Sequence, residues 1–382
     1  MAPVPLPVSP RRIAMLGPLW PYRGGIAHFG ASLVRALVGR GHTVRPYTFR
    51  RQYPDRLFPG TSQFDDSPPP AGLPPAPRVL DSVSPPSWRR TARRIVDDGA
   101  DVLVLHYWMA FFAPALGTIA RIARRRGLRV VTVVHNAVAH EPRPGERALA
   151  RWALSASDAL VTMSRSVTDD LASLGVTVPV RQTLHPVYDV FGAPVDRAAA
   201  RTALGLDADA PTLLFFGFVR RYKGLHVLLA AMPRILERLP RARLVVAGEF
   251  YADEAALRAQ AAPLGPAVRF DADYIADASV APYFGAADVV VQPYVSATQS
   301  GVAQIAFHFG RPVITTDVGG LAETVPDGAA GLVVPPDDPA ALADAVVRFF
   351  EDGLAERLAE GVARQRADGT WDRFCDVLES VV

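Results

Sequence analysis

Short runs of β-branched and aliphatic residues alternate along the chain with longer amphipathic stretches. In 26–41, for example, Phe29, Leu33 and Leu37 recur on one helix face and Gly41 ends the run. Alternation of this kind is typical of parallel sheets flanked by helices. The apolar runs predict strands at 11–16, 42–49, 101–108, 129–136 and 158–164, then at 212–219, 242–250, 288–294, 311–318 and 330–336. Further helices are predicted at 225–239, 254–264, 280–287, 301–309 and 339–353.

Length and charge divide the chain into two parts. At 382 residues it is too long for one typical core. The first 185 residues carry 24 arginines against 12 acidic residues, a net charge of +12, whereas the remainder carries −9. We therefore predict one domain over 1–186 and a second over 187–365, and a C-terminal helix over 366–382 that is compatible with packing back on the first domain. A proline-rich segment, roughly 59–87, is predicted to be a long surface loop.

Composition narrows the class of protein. The hydrophobic fraction is 49% and the charged fraction 21%, as in ordinary compact proteins, and no apolar run approaches the length of a membrane span. Residues 1–12 have proline and arginine where a signal peptide would be apolar, which predicts a cytoplasmic protein. The only cysteine, Cys375, excludes an internal disulfide and a cysteine metal site. The basic first half is compatible with an anionic partner, or simply with a solvated arginine-rich surface.

Ligands of open parallel sheets bind at the carboxyl ends of strands, so the residues that follow each strand are candidates. Gly24 and Gly25 open a helix after the first strand and expose backbone N–H groups, although a tight turn explains them nearly as well. The fourth strand ends at His135, a polar side chain at the same edge, for which a structural role remains an alternative.

The second half places cations after its first strand. Of 41 basic residues Lys223 is the only lysine, and it stands in the loop FGFVRRYKGL with Gly217, Arg220 and Arg221. Fixed cations beside a helix start suit a pyrophosphate, and a lysine is a compact point charge. A second turn of small residues at a strand-to-helix junction predicts another phosphate cradle, formed by Ser300, Gly301 and Val302.

Two acidic motifs suggest a metal and are rejected. Asp271-Ala272-Asp273 and Asp207-Ala208-Asp209 have the DxD spacing, but neither stands in the single-domain pattern that such metal sites need. HExxH, Walker A and GxSxG motifs are absent from the sequence. We therefore expect no metal and no bound cofactor.

Taken together, these motifs resemble those of a known family. The strings GFVRRYKGLHVLLAAMPRI, LVVAGEF and AADVVVQPYVSATQSGVAQIAFHFGRPVITTDVGGLAETV resemble the C-terminal domain of family 4 retaining glycosyltransferases. PYRGGIAHFGASLVRALVGRGHTV and VVHNAVAHE are similar to that family's acceptor domain. The resemblance implies the GT-B fold, two Rossmann-like doubly wound parallel-sheet domains facing each other across a cleft. It also implies a nucleotide-sugar donor, a hydroxyl acceptor and no nucleic acid.

The resemblance assigns roles to several residues. Lys223 matches the lysine that neutralises the donor diphosphate, and His135 matches the histidine at the donor sugar. The family's arginine is replaced by Phe218, and Arg220 is expected to act in its place. Gly25 matches the glycine that approaches the phosphates. Gly248 and Glu249 are expected to line the nucleotide site. Tyr274 and Ile275 are expected to contact the nucleobase.

One departure from the family concerns two acids. The family's E-x7-E pattern falls on Ala297 and Ile305. Thr298 and Gln299 are therefore expected to bind the sugar hydroxyls as neutral groups, and the amides from Ser300 onward to hold the phosphates. The loss leaves catalytic competence open.

No carboxylate stands as an evident nucleophile, so the chemistry is expected to rest on stabilising the diphosphate leaving group. The alternatives are a sugar-nucleotide epimerase and a non-catalytic binding protein with a decayed site. The pattern is compatible with UDP, GDP, ADP and dTDP donors. The stretch 118–129 carries five arginines and is compatible with peripheral contact with an anionic membrane, or with an ordinary surface helix.

Overall fold

A computed structural model describes residues 9–54, 56, 58, 60–138 and 144–382. It divides the chain into two compact units, each of which we describe by itself. Unit 1 comprises Met1–Leu57, Gln63–Thr183 and Trp371–Val382, and unit 2 comprises Phe58–Ser62 and Leu184–Thr370. Residues 1–8, on which the prediction about a signal peptide depends, lie outside the described residues, as do 139–141 of the VVHNAVAHE motif.

Unit 1 is a parallel sheet of seven strands in the order β3-β2-β1-β4-β5-β6-β7. The strands are β1 (Arg12–Leu16), β2 (Thr43–Arg51), β3 (Arg78–Asp81), β4 (Val102–Tyr107), β5 (Arg129–Val134), β6 (Ala159–Thr162) and β7 (Val180–Gln182). The helices are α1 (Gly25–Gly39), α2 (Pro85–Asp97), α3 (Ala113–Arg125), α4 (Glu146–Leu154), α5 (Arg165–Ser173) and α14 (Trp371–Glu379). Central strand β4 is buried along its whole length, as expected of a strand covered on both faces.

Unit 2 repeats this architecture with six parallel strands in the order β10-β9-β8-β11-β12-β13. The strands are β8 (Thr212–Phe216), β9 (Arg243–Ala247), β10 (Val268–Asp271), β11 (Val289–Gln292), β12 (Val313–Thr316) and β13 (Gly331–Val334). The helices are α6 (Arg197–Leu204), α7 (Leu225–Arg238), α8 (Glu254–Ala261), α9 (Val280–Ala286), α10 (Gly301–His308), α11 (Leu321–Thr324), α12 (Pro339–Glu351) and α13 (Leu354–Asp368). The ten strands predicted from the sequence are therefore confirmed, with bounds that differ by up to three residues; β2 extends two residues beyond its predicted end.

The prediction of a long loop over 59–87 is wrong at its C-terminal end. Strand β3 pairs with β2 in parallel, and α2 begins at Pro85. Proline is tolerated there because the first N–H groups of a helix have no partner within the helix. Residue 59 lies outside the described residues.

The stretch 118–129 belongs mainly to α3, which packs between α2 and α4. Within the part of the chain that the structure describes, no helix is long and apolar enough to cross a membrane.

Candidate active site

The loop that carries the only lysine is shaped by two glycines. Gly217 follows β8 with φ 90°, and Gly224 precedes α7 with φ 67°. A Cβ atom on Gly224 would lie 1.8 Å from the carbonyl oxygen of Pro293, which follows β11. Glycine therefore allows the loop after β8 to press against the end of β11.

Lys223 is buried in this loop, with 9% of its surface exposed. Its Nζ atom lies 5.7 Å from the centroid of the Tyr294 ring. Burial, and then the charge of Arg220, lower the pKa of Lys223 to about 7. Among the described residues no carboxylate lies within ion-pair distance of this ammonium group. A buried cation without a carboxylate partner is suited to an anionic ligand.

Arg220 is exposed and stacks on an aromatic ring. Its Cζ atom lies 4.8 Å from the centroid of Tyr251, and the side chain lines a cavity of about 290 Å³ together with Arg221 and His226. Phe218 packs against Tyr251 at 4.7 Å and lies nearly parallel to Tyr274 at 6.2 Å between ring centroids. The structure thus brings Phe218, Arg220 and Tyr274 together, and half-buried Ile275 is the next residue.

The turn after β9 packs directly on the turn after β8. Gly248 has φ 144°, and a Cβ atom there would lie 2.4 Å from the carbonyl oxygen of Gly217. The amide of Gly217 donates to Ala247 at 2.9 Å, and that of Val219 donates to the carbonyl of Glu249 at 2.8 Å. These contacts hold the two predicted site loops in a fixed register.

Glu249 is buried with a partner that sequence reasoning missed. One oxygen of its carboxylate accepts hydrogen bonds from the backbone N–H of Thr61 at 2.9 Å and from the Thr61 hydroxyl at 2.7 Å. Thr61 belongs to Phe58–Ser62, the short segment of the first half of the chain that lies in unit 2. A separation of 188 residues leaves no local signal of this pairing in the sequence.

The turn before α10 and the first residues of this helix lie beside the loop after β8. A Cβ atom on Gly217 would lie 3.6 Å from the methyl Cγ2 of Val302. It would lie 3.2 Å from Nζ of Lys223. The Ser300 hydroxyl accepts from the Gln292 amide at 3.0 Å. A Cβ atom on Gly301 would lie 3.0 Å from the ring of Tyr188, so a small residue keeps the start of α10 close to that ring.

The residues around this turn confirm that no acid stands at the two family positions. Ala297 and Ile305 are buried apolar side chains, and Ala297 packs in a small cluster with Tyr294 and Leu321. Thr298 is buried and Gln299 is half-buried beside them. The polar groups that this loop offers are therefore neutral.

In unit 1 the predicted residues lie at the carboxyl end of the sheet. Gly24 has φ 108° and caps α1, whose first residue is Gly25. His135 directly follows β5 and is buried, and its Nε2 atom lies 3.0 Å from Nδ1 of His106 in β4. Sequence reasoning missed His106, although it falls inside the predicted strand 101–108.

Both DxD motifs have protein partners. Asp271 accepts hydrogen bonds from Arg269 and Tyr283, each at 2.8 Å, and Asp207 pairs with Arg241 at 3.0 Å. In the described residues no group of three or more histidine, cysteine or acidic side chains is arranged to hold a metal ion.

Comparisons with known proteins identify the family. The family described as glycosyl transferases group 1 matches residues 210–352, and glycosyltransferase family 4 matches residues 23–186. The D-inositol 3-phosphate glycosyltransferase of Acidothermus cellulolyticus is 31% identical over 407 aligned residues, which cover 96% of this chain and 88% of that protein.

Two solved structures share the fold. Sucrose-phosphate synthase from Thermosynechococcus elongatus superposes with a TM-score of 0.76 at 24% identity and covers 97% of each chain. The Anabaena protein HepE in complex with UDP-glucose gives a TM-score of 0.69 at 16% identity, covering 97% of this chain and 100% of that one. Neither alternative activity, epimerase or decayed binding protein, is favoured by these relatives. The chain belongs to glycosyltransferase family 4, and it is a glycosyltransferase with the GT-B fold.

Proposed function

We propose that the protein transfers a sugar from a nucleotide-sugar donor to a hydroxyl acceptor, with retention of anomeric configuration and without a metal. The observation that carries this proposal is the buried ammonium group of Lys223, which lies in a glycine-shaped loop at a strand end and lacks a carboxylate partner in the described chain. A donor diphosphate supplies the missing negative charge. The UDP-glucose complex of the HepE structure supports a donor of this class.

Catalysis in this proposal is stabilisation of the leaving group. Lys223 and Arg220 neutralise the diphosphate, and the backbone N–H groups at the start of α10 donate to its oxygens. The acceptor hydroxyl attacks the anomeric carbon on the face that the diphosphate leaves, and its proton passes to the departing phosphate oxygen. No step requires a carboxylate nucleophile, which is consistent with Ala297 and Ile305 at the two family positions.

The sugar is recognised by neutral groups. Thr298 and Gln299 directly follow Ala297, the position of the family's first acid, and they offer a hydroxyl and an amide to the sugar hydroxyls. In this proposal His135 contacts the donor sugar, the role that its match to the family's histidine implies. For the acceptor, the net charge of +12 over the first 185 residues favours an anionic molecule. D-inositol 3-phosphate, which the name of the Acidothermus relative contains, is the first to test.

The test begins with a thermal-shift panel of UDP, GDP, ADP and dTDP sugars, since a ligand of the native state raises the melting temperature. With the donor identified, Lys223→Ala and Arg220→Ala are each expected to lower kcat by about 100-fold or more. Lys223→Arg is the sharper variant, because it keeps the charge and tests whether the site needs a point charge.

Product analysis decides the proposal. A glycoside of unchanged anomeric configuration, formed in the presence of EDTA, supports it. An isomerised nucleotide sugar, an inverted product or a requirement for a divalent cation contradicts it. Near-native rates in both alanine variants would contradict the assigned leaving-group role, even if transfer occurs.

We further propose that unit 1 contacts the anionic cytoplasmic leaflet of a membrane. Trp152 and Leu149 of α4 are 40% and 41% exposed, and the Arg121 guanidinium lies 3.9 Å from the Trp152 ring centroid. Arg125 at the end of α3 and Arg126 directly after it are exposed and add positive charge, whereas Arg124 pairs with Asp158 at 2.8 Å. In a flotation assay at low salt, we expect the protein to float with phosphatidylserine vesicles and not with neutral vesicles. If the protein binds neither kind of vesicle, the membrane proposal is wrong, and the transferase proposal is unaffected.

A further inference from the structure

Two buried histidines meet at the carboxyl ends of neighbouring strands in unit 1. Nδ1 of His106 lies 3.0 Å from Nε2 of His135. The two ring planes are 21° apart and the ring centroids are 5.3 Å apart. The rings therefore meet edge to edge in nearly one plane, which is the geometry of an N–H···N hydrogen bond and not of a face-to-face stack.

The surroundings of the pair are apolar. The ring of Phe29 in α1 lies nearly perpendicular to both histidine rings, with its centroid 4.9 Å from that of His135 and 5.8 Å from that of His106. A Cβ atom on Gly17, directly after β1, would lie 2.8 Å from Cδ2 of His106, so the ring occupies space that only glycine leaves. His106 is fully buried, and burial lowers its pKa to about 4. His106 is therefore neutral near pH 7 and carries one ring proton.

The position of that proton follows from what each nitrogen touches. Within the described part of the chain, Nε2 of His106 has no hydrogen-bond partner. A proton on Nε2 would be a buried N–H donor without an acceptor, which is costly and rare in proteins. A proton on Nδ1 is instead donated to His135, and only a lone pair is left without a partner.

We infer that His106 is a positioning residue that donates its Nδ1 proton to Nε2 of His135 and thereby fixes His135 as the Nδ1–H tautomer. Any group that contacts Nδ1 of His135 then meets a hydrogen-bond donor. The catalytic consequence of this inference rests on the proposed function. At the donor sugar, the Nδ1–H of His135 donates to an oxygen atom and stabilises it. His135 does not remove a proton from the acceptor through Nδ1.

The tautomer is measured directly and without turnover. In protein labelled with 15N-histidine, two-bond 1H–15N correlation spectra distinguish protonated from unprotonated ring nitrogens, and His106→Asn and His135→Gln assign the two residues among eight histidines. At pH 7.5 we expect protonated Nδ1 and unprotonated Nε2 in both rings. A protonated Nε2 in His135, a doubly protonated ring, or shifts averaged between tautomers would each overturn the inference.

Two variants separate positioning from packing. In His106→Asn the side-chain amide places an N–H near the position of Nδ1, so we expect His135 to stay the Nδ1–H tautomer and turnover to remain within about tenfold of wild type. His106→Phe keeps a buried ring but no donor, so the fixed tautomer should be lost and turnover should fall more than in His106→Asn. Thermal melts verify that both variants are folded.

Equal turnover in His106→Asn and His106→Phe, both folded, would reduce His106 to a packing residue. If no nucleotide sugar supports turnover by the wild type, the proposed function fails, and the spectra still decide the tautomer.

Discussion

Lys223 Nζ lies 3.2 Å from the point that a Cβ atom on Gly217 would occupy. A side chain at position 217 would therefore push the ammonium group away from its present place by a few tenths of an ångström. Glycine at position 217 therefore meets two requirements: it leaves space for Lys223, and it adopts a φ of 90°, a conformation that other residues rarely adopt.

The first prediction separates these two requirements. Gly217→Ala should lower donor affinity at least tenfold, because the added methyl group displaces the end of Lys223. Gly192→Ala is the matched control, since Gly192 has φ 88° and nothing within 4 Å of its Cβ position. Both variants should cost about 1–2 kcal/mol of stability from backbone strain. Calorimetric titration with the donor checks the difference, and equal affinities in the two variants would show that Lys223 does not touch the donor.

The second prediction concerns protons. The pKa of Lys223 is lowered to about 7 in the unliganded protein, so much of the lysine is neutral at pH 8. A bound diphosphate stabilises the charged form and raises that pKa, so binding at pH 8 should take up close to one proton, and binding at pH 6 should take up almost none. Donor affinity should fall by up to about tenfold for each pH unit above 7.

Titration with UDP-glucose, or the donor found in the panel, in buffers of different ionisation enthalpy measures this uptake. Lys223→Arg is the control, because arginine stays charged throughout the range. Uptake that persists in Lys223→Arg would assign the proton to another group.

The third prediction compares two glycines of nearly equal backbone geometry. Gly224 and Gly205 have φ values of 67° and 63°. A Cβ atom on Gly224 meets the Pro293 carbonyl at 1.8 Å, whereas one on Gly205 meets nothing within 4 Å. Gly205→Ala should cost about 1–2 kcal/mol, and Gly224→Ala a further 1–3 kcal/mol or more. Urea unfolding measures both, and equal losses would mean that the close approach to β11 is relaxed in solution.

The fourth prediction tests the hydrogen bonds between Thr61 and Glu249. Thr61→Val removes the hydroxyl donor from a buried carboxylate and should cost roughly 1.5–3 kcal/mol, the range for hydrogen bonds to charged groups. Thr61→Ser keeps the hydroxyl and should lose less than half as much. Hydrogen exchange at the amide of residue 61 reports the same contact locally. Unchanged exchange and stability in Thr61→Val would show that the hydroxyl does not help to hold Glu249, since valine keeps the backbone N–H donor.

The central strands could be predicted from the sequence because burial on both faces makes them continuous apolar runs. The three strands that were missed are β3, β7 and β10, each at the edge of a sheet. Edge strands are short and carry polar residues such as the Arg181-Gln182 pair of β7, so their pattern does not differ from that of a loop.

The candidate site residues were proposed by the same reasoning, because the loops that follow parallel strands meet at one edge of a sheet. The partners of those residues could not be predicted in this way. Thr61 reaches Glu249 across 188 residues, and His106 differs from its apolar neighbours in β4 only by a polar ring. Contacts of this kind depend on tertiary packing, which no local periodicity encodes.

The chain passes between the two units four times, at 57–58, 62–63, 183–184 and 370–371. Helix α14 packs on α1 in unit 1, and its Phe374 ring lies 5.2 Å from Phe29, yet its residues follow all of unit 2 in the sequence. During synthesis, the ribosome must therefore translate the whole of unit 2 before unit 1 can bury its last apolar face. Until then the nascent N-terminal half exposes the surface around Phe29 that α14 covers in the folded protein.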